Sequence, residues 1–417
     1  MLDIKLIRDN PAILEQLEKL RNADFQSAKV LILDKEWRVL VQENEQLRFK
    51  RNQASQKIPQ LKGKEKETLI KEMRSVGDRI KEIEVRMEKI REESDFIFQR
   101  LPNLPHESVP FGQSKDDNKI VTPCKKIPTY KFPLKAHFEI LAEKGLLDLD
   151  ASAKIAGHGF YLFKGLLASL ERALINYCLD FHLKKGFVEI NPPLMVNEKT
   201  MFGTGQLPKF EDDLYKTREG YYLIPTSEVP VTNLMADKNV EVSQLPMRFC
   251  AYTPCFRVEA GRHGTTDRGI FRLHQFDKVE MVSITHPDNS FKELEFLRKE
   301  AESILKNLQL PFRTILLCSG DMGFSASKTY DLEVWSPVTK QWLETSSVSN
   351  CQDFQARRMG AKFHDNEGNK FVHTLNGSGL AFPRLMISLI ENNQQKDGSI
   401  KIPKVLQPYL GGLKKID

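Results

Sequence analysis

Two short segments near the middle of the chain combine arginine, carboxylate and aromatic side chains. The first holds Arg257 and Glu259, and the second, after a polar loop that contains glycine, holds Phe276, Lys278 and Glu280. If the segments are antiparallel strands, alternation places the members of each segment on one face of its strand. Guanidinium groups bind phosphates and a ring stacks on a base, so the pattern suits a nucleoside triphosphate. A charged, solvent-exposed face of a hairpin would show the same pattern, and the pattern taken alone slightly favours that interpretation.

Other chemical motifs are weaker. Ser325 and Lys328 fit the S-x-x-K spacing of penicillin-binding enzymes, but the companion motifs of those enzymes are missing. Cys250 and Cys255 lie in an apolar stretch without histidines at zinc-finger spacing, which favours buried packing. The sequence has neither a P-loop nor a glycine-rich dinucleotide fingerprint, so any nucleotide must be held by other means.

The strongest periodic signal lies in the N-terminal quarter. Apolar residues recur in alternating steps of four and three, typical of a coiled coil, in two stretches separated by Pro59 and Gly63. The connection is so short that the two stretches must form an antiparallel hairpin of helices about 40 Å long. The positions are Leu33, Trp37, Leu40, Asn44, Leu47, Arg51, Ala54 and Ile58, and then Leu69, Met73, Val76, Ile80, Ile83, Met87 and Ile90.

Charge is concentrated at the outer end of this hairpin. Residues 48–81 include eleven Lys or Arg and four Asp or Glu, which gives this segment a net charge of +7. The whole chain has a net charge of +6, so the remaining residues together are nearly neutral. A dimerisation coil or spacer usually mixes its charges, whereas a basic tip suggests contacts with phosphates.

Composition narrows the class of protein. The chain has 417 residues, 40% hydrophobic and 28% charged, and it has no apolar run of 18 residues and no secretory signal. Six cysteines without a C-x-x-C pair fit a reducing cytoplasm. We expect a cytoplasmic protein without a membrane span.

Residues 102–150 are interpreted as a proline-punctuated linker that begins a second domain, and the successive strand patterns after residue 186 predict an antiparallel α+β domain.

With these segments in view, the sequence resembles the seryl-tRNA synthetases, members of the class II aminoacyl-tRNA synthetases, over essentially its whole length. Motif one of the class resembles the helix from residue 162 together with 187–193, motif two resembles 256–280, and motif three resembles 376–384. The assignment to serine depends on longer strings. These are 226–228, 251–257, 274–280, 329–335 and 344–347.

The resemblance implies an α+β protein in which an antiparallel helical hairpin precedes a catalytic domain built on an antiparallel sheet with flanking helices. It implies a tRNA-binding domain over 1–110, with a coiled-coil arm over about 30–100, and a class II catalytic domain over 111–417. The implied activity is a serine–tRNA ligase. It would activate L-serine with ATP to seryl-adenylate and load tRNA(Ser), and tRNA(Sec) where the host has one.

Roles for single residues follow from the same resemblance. Arg257 and Arg384 would be catalytic. Arg257 would bridge the serine carboxylate and the α-phosphate, and Arg384 would pack on the adenine and reach the γ-phosphate. ATP would be bound by Arg257, Val258, Glu259, Phe276, Glu344, Thr345, Ser346, Ser347 and Arg384, with Mg²⁺ on Glu344 and Ser347. The serine pocket would consist of Thr226, Ser227, Glu228, Arg257, Glu280 and Ser378. The role of Asn376 has two alternatives: it supports this pocket, or it forms only the turn before the motif-three helix.

The family also implies partners. The tRNA would bind the basic arm, and motif one would form a homodimer. The arm residues are Arg48, Lys50, Arg51, Lys57, Lys62, Lys64, Lys71 and Arg74. The motif-two loop 261–268 departs from the common family pattern and bears on tRNA contact. Two alternatives are weighed: a paralogue that loads a carrier protein, which would generally lack the arm, and an RNA-binding coil with a decayed core, which would have lost Arg257, Glu280 or Arg384.

Overall fold

The computed structural model describes residues 1–23, 25–259 and 269–417. It divides into two compact units, Leu2–Pro102 and Asn103–Asp417, and Met1 groups with the second. The atypical motif-two loop 261–268 lies outside the described residues.

The N-terminal unit is built from helices. Its elements are α1 (Ile4–Asp9), α2 (Ala12–Arg21), α3 (Ser27–Lys57) and α4 (Gly63–Phe98), with a 3₁₀ turn at Ile58–Gln60. The predicted hairpin is therefore confirmed, with its turn where Pro59 and Gly63 interrupt the apolar pattern. At 1.5 Å per residue, the 31 residues of α3 and the 36 of α4 extend about 46 and 54 Å, longer than predicted.

The predicted seam between α3 and α4 is mainly apolar, and most of its residues are buried or partly buried, because residues at steps of three and four share one face of each helix. Trp37 and Arg51 are the exceptions, since both are exposed. The buried seam residues are Leu33, Asn44, Ala54, Val76, Ile80, Ile83 and Ile90.

Ion pairs join α3 to α4 at a spacing of seven residues. The nitrogen–oxygen distances are 2.6–2.8 Å in the pairs Lys50–Glu72, Arg79–Glu43 and Arg86–Glu36. Arg48–Glu84, at 2.5 Å, also joins the two helices but lies outside this series. The heptad-spaced pairs are Lys29–Glu93, Arg86–Glu36, Arg79–Glu43 and Lys50–Glu72. The next step of seven would pair Lys57 with Glu65, and the described residues form no ion pair there. The regular pairing therefore stops before the tip.

The second unit contains a large sheet with flanking helices. Its helices are α5 (His137–Glu143), α6 (Leu149–Ala156), α7 (Leu166–Leu183), α8 (Glu198–Thr204), α9 (Glu228–Thr232), α10 (Ser290–Asn307), α11 (Phe354–Met359) and α12 (Phe382–Asn393). Its strands are β1 (Lys119–Thr122), β2 (Val188–Glu189), β3 (Met195–Val196), β4 (Tyr222–Leu223), β5 (Asn239–Glu241), β6 (Met247–Phe256), β7 (Gln275–Thr285), β8 (Phe312–Leu316), β9 (Lys328–Ser336), β10 (Gln341–Gln352), β11 (Lys362–Asp365), β12 (Gly368–Phe371), β13 (His373–Ala381), β14 (Ile400–Lys401) and β15 (Lys415–Ile416).

The large sheet has the strand order β1-β8-β9-β10-β13-β7-β6-β2. Its neighbouring strands are antiparallel, except that β2 pairs in parallel with β6 at the edge. Helices α7, α10 and α12 cover it with apolar residues such as Leu170, Leu297 and Leu389, which are fully buried in one core. The predicted α+β class with an antiparallel sheet is confirmed.

Two local predictions are wrong. The interval 102–150 is not only a linker, because it contains β1, α5 and the start of α6. Arg257 and Glu259 do not share a strand face, since β6 ends at Phe256. Of the two alternatives open at Asn376, the turn before a helix is excluded, because Asn376 lies inside β13, which pairs with β7 and β10 through non-local hydrogen bonds that periodicity cannot reveal. Over the described ranges, no helix combines the length and apolar character that a membrane crossing requires.

Replacing Ile83 by alanine tests the hairpin seam. Ile83 is fully buried between α3 and α4, so we expect a loss of about 2–5 kcal/mol in local stability. Native-state hydrogen exchange of the α3 and α4 amides in the full chain measures this loss. Val85→Ala is the control, because Val85 lies on the same helix but is 55% exposed. Equal effects of the two substitutions would contradict the seam.

Candidate active site

One cavity of about 510 Å³ opens among α9, the ends of β6 and β7, and the facing residues of β10 and β13. Most of the predicted site residues, although distant in sequence, line this single cavity. They are Thr226, Glu228, Arg257, Glu259, Phe276, Glu280, Glu344, Thr345, Ser346, Ser347, Ser378 and Arg384.

Two predicted residues do not line it. Ser227 is fully buried, and its hydroxyl has no hydrogen-bond partner among the described residues. The backbone nitrogen of Val258 donates to the carbonyl of Asp213 at 3.0 Å, so this donor is already engaged. Both are sequence neighbours of residues that do face the cavity, and adjacent residues point in different directions.

Side chains at one part of the cavity form what we call the arginine cluster: Arg257, Glu259, Phe271, Phe276, Glu344 and Arg384. The guanidinium of Arg257 lies 5.1 Å from the centre of the Phe276 ring, and Arg384 lies 5.5 Å from that of Phe271. Arg384 also pairs with the Glu344 carboxylate at 3.4 Å. Cations stacked on rings present planar, charged surfaces to a ligand.

Backbone irregularities aim two members of this cluster. The β9–β10 ladder shifts register between Glu344 and Ser346, and such a bulge redirects side chains at the edge of a site. Glu259 adopts a left-handed backbone (φ 52°), which is rare for a residue with a side chain and is typical of functional sites. Its carboxylate pairs with Arg272 at 3.1 Å.

A second group, the carboxylate cluster, comprises Thr226, Glu228, Lys278, Glu280, Asn376 and Ser378. Lys278 and Glu280 lie on one face of β7, as alternation predicts, and the Lys278 ammonium pairs with Glu280 at 2.6 Å. The same ammonium donates to the Thr226 hydroxyl at 2.7 Å. The Ser378 hydroxyl donates to Glu280 at 3.4 Å.

Glu228 is the second carboxylate of this cluster, and it is partly buried. Its Oε1 accepts hydrogen bonds from Gln355 at 2.7 Å and from Asn376 at 2.9 Å. Burial and the nearby Glu280 raise the pKa of Glu228 to about 7, although Gln355, Lys278 and Arg257 act in the opposite direction. Two acids therefore share one cavity wall, and Lys278 is the buried cation beside them.

Sequence reasoning assigned no role to Lys278, Gln355 or Phe271 and left Asn376 open. Lys278 was detectable, because it alternates with Phe276 and Glu280 on a strand. The pattern Thr374, Asn376, Ser378 was also present as alternate positions. Gln355 gave no local signal, since its partner Glu228 lies 127 residues away.

Comparison with known proteins places this geometry in a family. The model of the seryl-tRNA synthetase N-terminal domain matches residues 1–105, and that of the class II tRNA synthetase core domain (G, H, P, S and T) matches 209–393. The serine–tRNA ligase of Methanosarcina barkeri is 47% identical, covering 100% of this chain and 99% of its own length. This chain belongs to the seryl-tRNA synthetase family.

Other relatives agree. The serine–tRNA ligase of Nitratidesulfovibrio vulgaris is 48% identical over the full length of both chains. The crystal structure of seryl-tRNA synthetase from Pyrococcus horikoshii complexed with ATP superposes with a TM-score of 0.94 at 35% identity, covering 100% of this chain and 99% of that one. The predicted family and the predicted enzyme class, an aminoacyl-tRNA synthetase of the serine–tRNA ligase type, are confirmed.

The pairing of Lys278 with Glu280 gives a stability prediction for this synthetase. Lys278→Met leaves a buried carboxylate without its cation, so we expect the free energy of unfolding to fall by about 3–5 kcal/mol. Adding Glu280→Gln should restore more than half of the loss. Guanidinium chloride denaturation, followed by the fluorescence of Trp335 and Trp342 in a Trp37→Phe background, measures both changes.

The matched control is Lys164→Met. Lys164 pairs with Asp148 at 2.9 Å on the surface, where 47% of its side chain is exposed. A surface pair contributes about 0–1 kcal/mol. Comparable losses at Lys164 and Lys278 would contradict the importance of burial.

Proposed function

We propose that this synthetase activates L-serine with ATP and transfers the seryl group to the 3′ end of tRNA(Ser), and of tRNA(Sec) where the host has one. One observation carries the proposal: a single cavity holds both the arginine cluster and the carboxylate cluster. The first suits a nucleoside triphosphate, and the second suits a small amino acid with an ammonium group and a hydroxyl.

In the first step the serine carboxylate attacks the α-phosphate of ATP and pyrophosphate leaves. Arg257 contacts both reactants, because it lines the cavity between Pro225, whose carbonyl accepts from its Nε at 3.4 Å, and the Phe276 ring. Holding nucleophile and electrophile together lowers the entropic part of the barrier, and the guanidinium neutralises charge that develops on the phosphate.

The nucleotide is held by the rest of the arginine cluster. Phe276 stacks on the adenine, and Glu259 accepts a hydrogen bond from the adenine amino group in place of its contact with Arg272. Arg384 packs on the other face of the base and reaches the γ-phosphate, exchanging its contact with Glu344 for one with ATP. Thr345 and Ser346 shape the wall beside it, where their hydroxyls donate to the carbonyls of Leu332 and Ser378.

Magnesium fits the donors on this wall. Glu344 and Ser347 line the cavity, and a carboxylate and a hydroxyl are hard oxygen ligands; the Ser347 side chain is also hydrogen-bonded to Asp331. The described residues contain no cluster of three His, Cys, Asp or Glu side chains that would form an all-protein cage. One or two protein oxygens are what Mg²⁺ uses when phosphates supply the remaining ligands. When bound, the ion neutralises phosphate charge.

Serine is selected by the carboxylate cluster. Glu228 and Glu280 receive the ammonium group and the hydroxyl, with Thr226 and Ser378 at the sides. Buried polar groups that expect a hydroxyl would remain unpaired against alanine, so the pocket rejects alanine without a separate editing site. Val258 and Ser227 support the neighbouring ligand-facing residues rather than contacting the ligand.

The tRNA binds the basic tip of the hairpin. Arg48 and Lys50 are ion-paired to Glu84 and Glu72, so they hold the arm together as well as adding positive charge. The cations beyond them are exposed and form no ion pair with a described residue, which leaves their charge to phosphates. They are Arg51, Lys57, Lys62, Lys64, Lys71 and Arg74.

The enzyme acts as a cytoplasmic homodimer in this proposal. Exposed apolar residues occur within motif one and just after it. They include Leu183 on α7 (41% exposed), Val188 (55%) and Met195 (54%). Exposed apolar side chains favour an interface, and a second copy packed against motif one would cover them.

The test is serine-dependent ATP–pyrophosphate exchange followed by charging of tRNA(Ser). We expect both activities in the wild-type chain. Changing Lys57, Lys62, Lys64 and Lys71 together to glutamine should raise the KM for tRNA at least about tenfold. It should also reduce the salt slope of log KM by about 0.7–0.9 per lost phosphate contact. Exchange should be unchanged.

The matched control replaces four exposed lysines of the second unit, Lys125, Lys126, Lys131 and Lys154, and should leave the KM for tRNA within about twofold, since none of these lysines belongs to the arm. Exchange without charging would favour a carrier-loading paralogue. Absence of both activities would overturn the enzyme assignment.

The ionisation of Glu228 gives a pH dependence. Its pKa is about 7, so below this pH Glu228 takes up a proton and loses its attraction for the serine ammonium group. We expect kcat/KM for serine to fall about tenfold per pH unit well below pH 7 and to level off above it. Exchange between pH 5.5 and 8.5 at saturating ATP measures the profile, and a flat profile for wild type would contradict it.

A further inference from the structure

Alternate residues on one face of β13 contact the two carboxylates of the carboxylate cluster and one further side chain. Asn376 donates to Glu228 and Ser378 donates to Glu280, as described above. Thr374, one step earlier on the same face, does not line the cavity, and its hydroxyl donates to Oε1 of Gln355 at 2.7 Å. Strand β13 is therefore connected to Glu228 by two routes. Asn376 hydrogen-bonds Glu228 directly, and Thr374 hydrogen-bonds Gln355, which in turn donates to Glu228.

Gln355 is almost fully buried on α11 and does not line the cavity either. Its Nε2 donates to Oε1 of Glu228 at 2.7 Å and to the backbone carbonyl of Thr204 at 3.1 Å. A backbone carbonyl can only accept, and the hydroxyl of Thr374 can donate. Only one orientation of the amide therefore satisfies all three neighbours, the one that directs the nitrogen towards Glu228.

We propose that Gln355, oriented by Thr374, is a positioning residue that fixes the Glu228 carboxylate for recognition of the serine substrate. This inference rests on the proposed function, because it concerns how the serine pocket is held. Oε1 of Glu228 accepts both amide donors, so the carboxylate cannot rotate without breaking a buried hydrogen bond. Its Oε2 makes no hydrogen bond with a described residue, and this is the oxygen that meets the substrate.

The same hydrogen bond stabilises the charged form of Glu228. The groups that face this carboxylate are Glu280, which opposes its ionisation, Lys278 and Arg257, which favour it, and the neutral Cys351 thiol. Losing the Gln355 donor shifts the balance towards the protonated acid, because a donor to the charged form lowers the pKa of a carboxyl group. Serine recognition then weakens at neutral pH and recovers at higher pH.

The experiment measures KM for serine and for ATP, and kcat, by pyrophosphate exchange with the full chain. Gln355→Leu removes both donors at similar volume. We expect KM for serine to rise about 10–100-fold at pH 7.5, the effect of one lost hydrogen bond to a charged group. KM for ATP should change less than about twofold, because Gln355 has no contact with the arginine cluster. The acid limb of kcat/KM for serine should move to higher pH.

Variants of Thr374 test the orientation directly. Thr374→Val keeps the shape but removes the hydroxyl, so the amide loses one reason for its orientation, and KM for serine should rise about 3–10-fold. Thr374→Ser retains the hydroxyl and should stay within about twofold of wild type. Combining Gln355→Leu with Thr374→Val should be no worse than Gln355→Leu alone, because Thr374 acts through Gln355.

Thr314→Val is the matched control. Thr314 is a fully buried threonine on β8 whose hydroxyl donates to Glu302 at 2.9 Å, and it does not line the cavity. It should lose stability in the same way as Thr374→Val while leaving KM for serine unchanged. If Gln355→Leu fails to fold, the pair Thr374→Val and Thr374→Ser decides the question.

The outcomes separate this inference from the proposed function. No serine-dependent exchange in the wild-type chain would overturn the function itself. Normal wild-type exchange with an unchanged KM for serine in Gln355→Leu and Thr374→Val would overturn only the positioning role. Parallel rises in KM for serine and ATP, or additive effects of the two substitutions, would also overturn it, because they indicate general disturbance of the site.

Discussion

Two carboxylates in one cavity wall, Glu280 buried and Glu228 partly buried, with Lys278 as the buried cation beside them, are the constraint around which the second unit is arranged. A buried charge is costly unless it is paired or hydrogen-bonded. Glu280 is satisfied by Lys278, whereas Glu228 depends on the neutral donors Gln355 and Asn376. This wall holds two carboxylates and one ammonium group. Under the proposed function, the ammonium group of serine supplies the second positive charge.

The sheet makes that arrangement possible. Strands β10, β13 and β7 are neighbours, so residues from three distant parts of the chain lie side by side at fixed spacings. Register shifts occur where the pattern must be redirected, between Glu344 and Ser346 on β10 and between Ser378 and Leu380 on β13. Side chains held by paired strands keep their positions better than side chains on loops, which is what a site that places two reactants requires.

The hairpin uses the same kind of charge for two purposes. Towards its base, cations pair with carboxylates across the helices at heptad spacing, and this pairing sets the register of α3 against α4. At its tip, cations such as Lys57 and Lys62 form no such pair within the described part of the chain. Exposed ion pairs contribute little stability, so their main effect is on which positive charges remain for a partner. The net charge of +6 is informative only through this placement.

The amino-acid sequence by itself determined the features that depend on neighbours along the chain. These are the heptad seam with its break at Pro59, the alternation of Phe276, Lys278 and Glu280 on one strand, and the motifs that identify the family. Tertiary structure alone decided which side chains meet. Examples are the contacts of Glu228 with Gln355 and Asn376, 127 and 148 residues away, and the neutralisation of Arg48 and Lys50 by Glu84 and Glu72. Periodicity reports which face a residue occupies, but the partner on that face depends on strand order and register, which hydrogen bonds between distant segments establish.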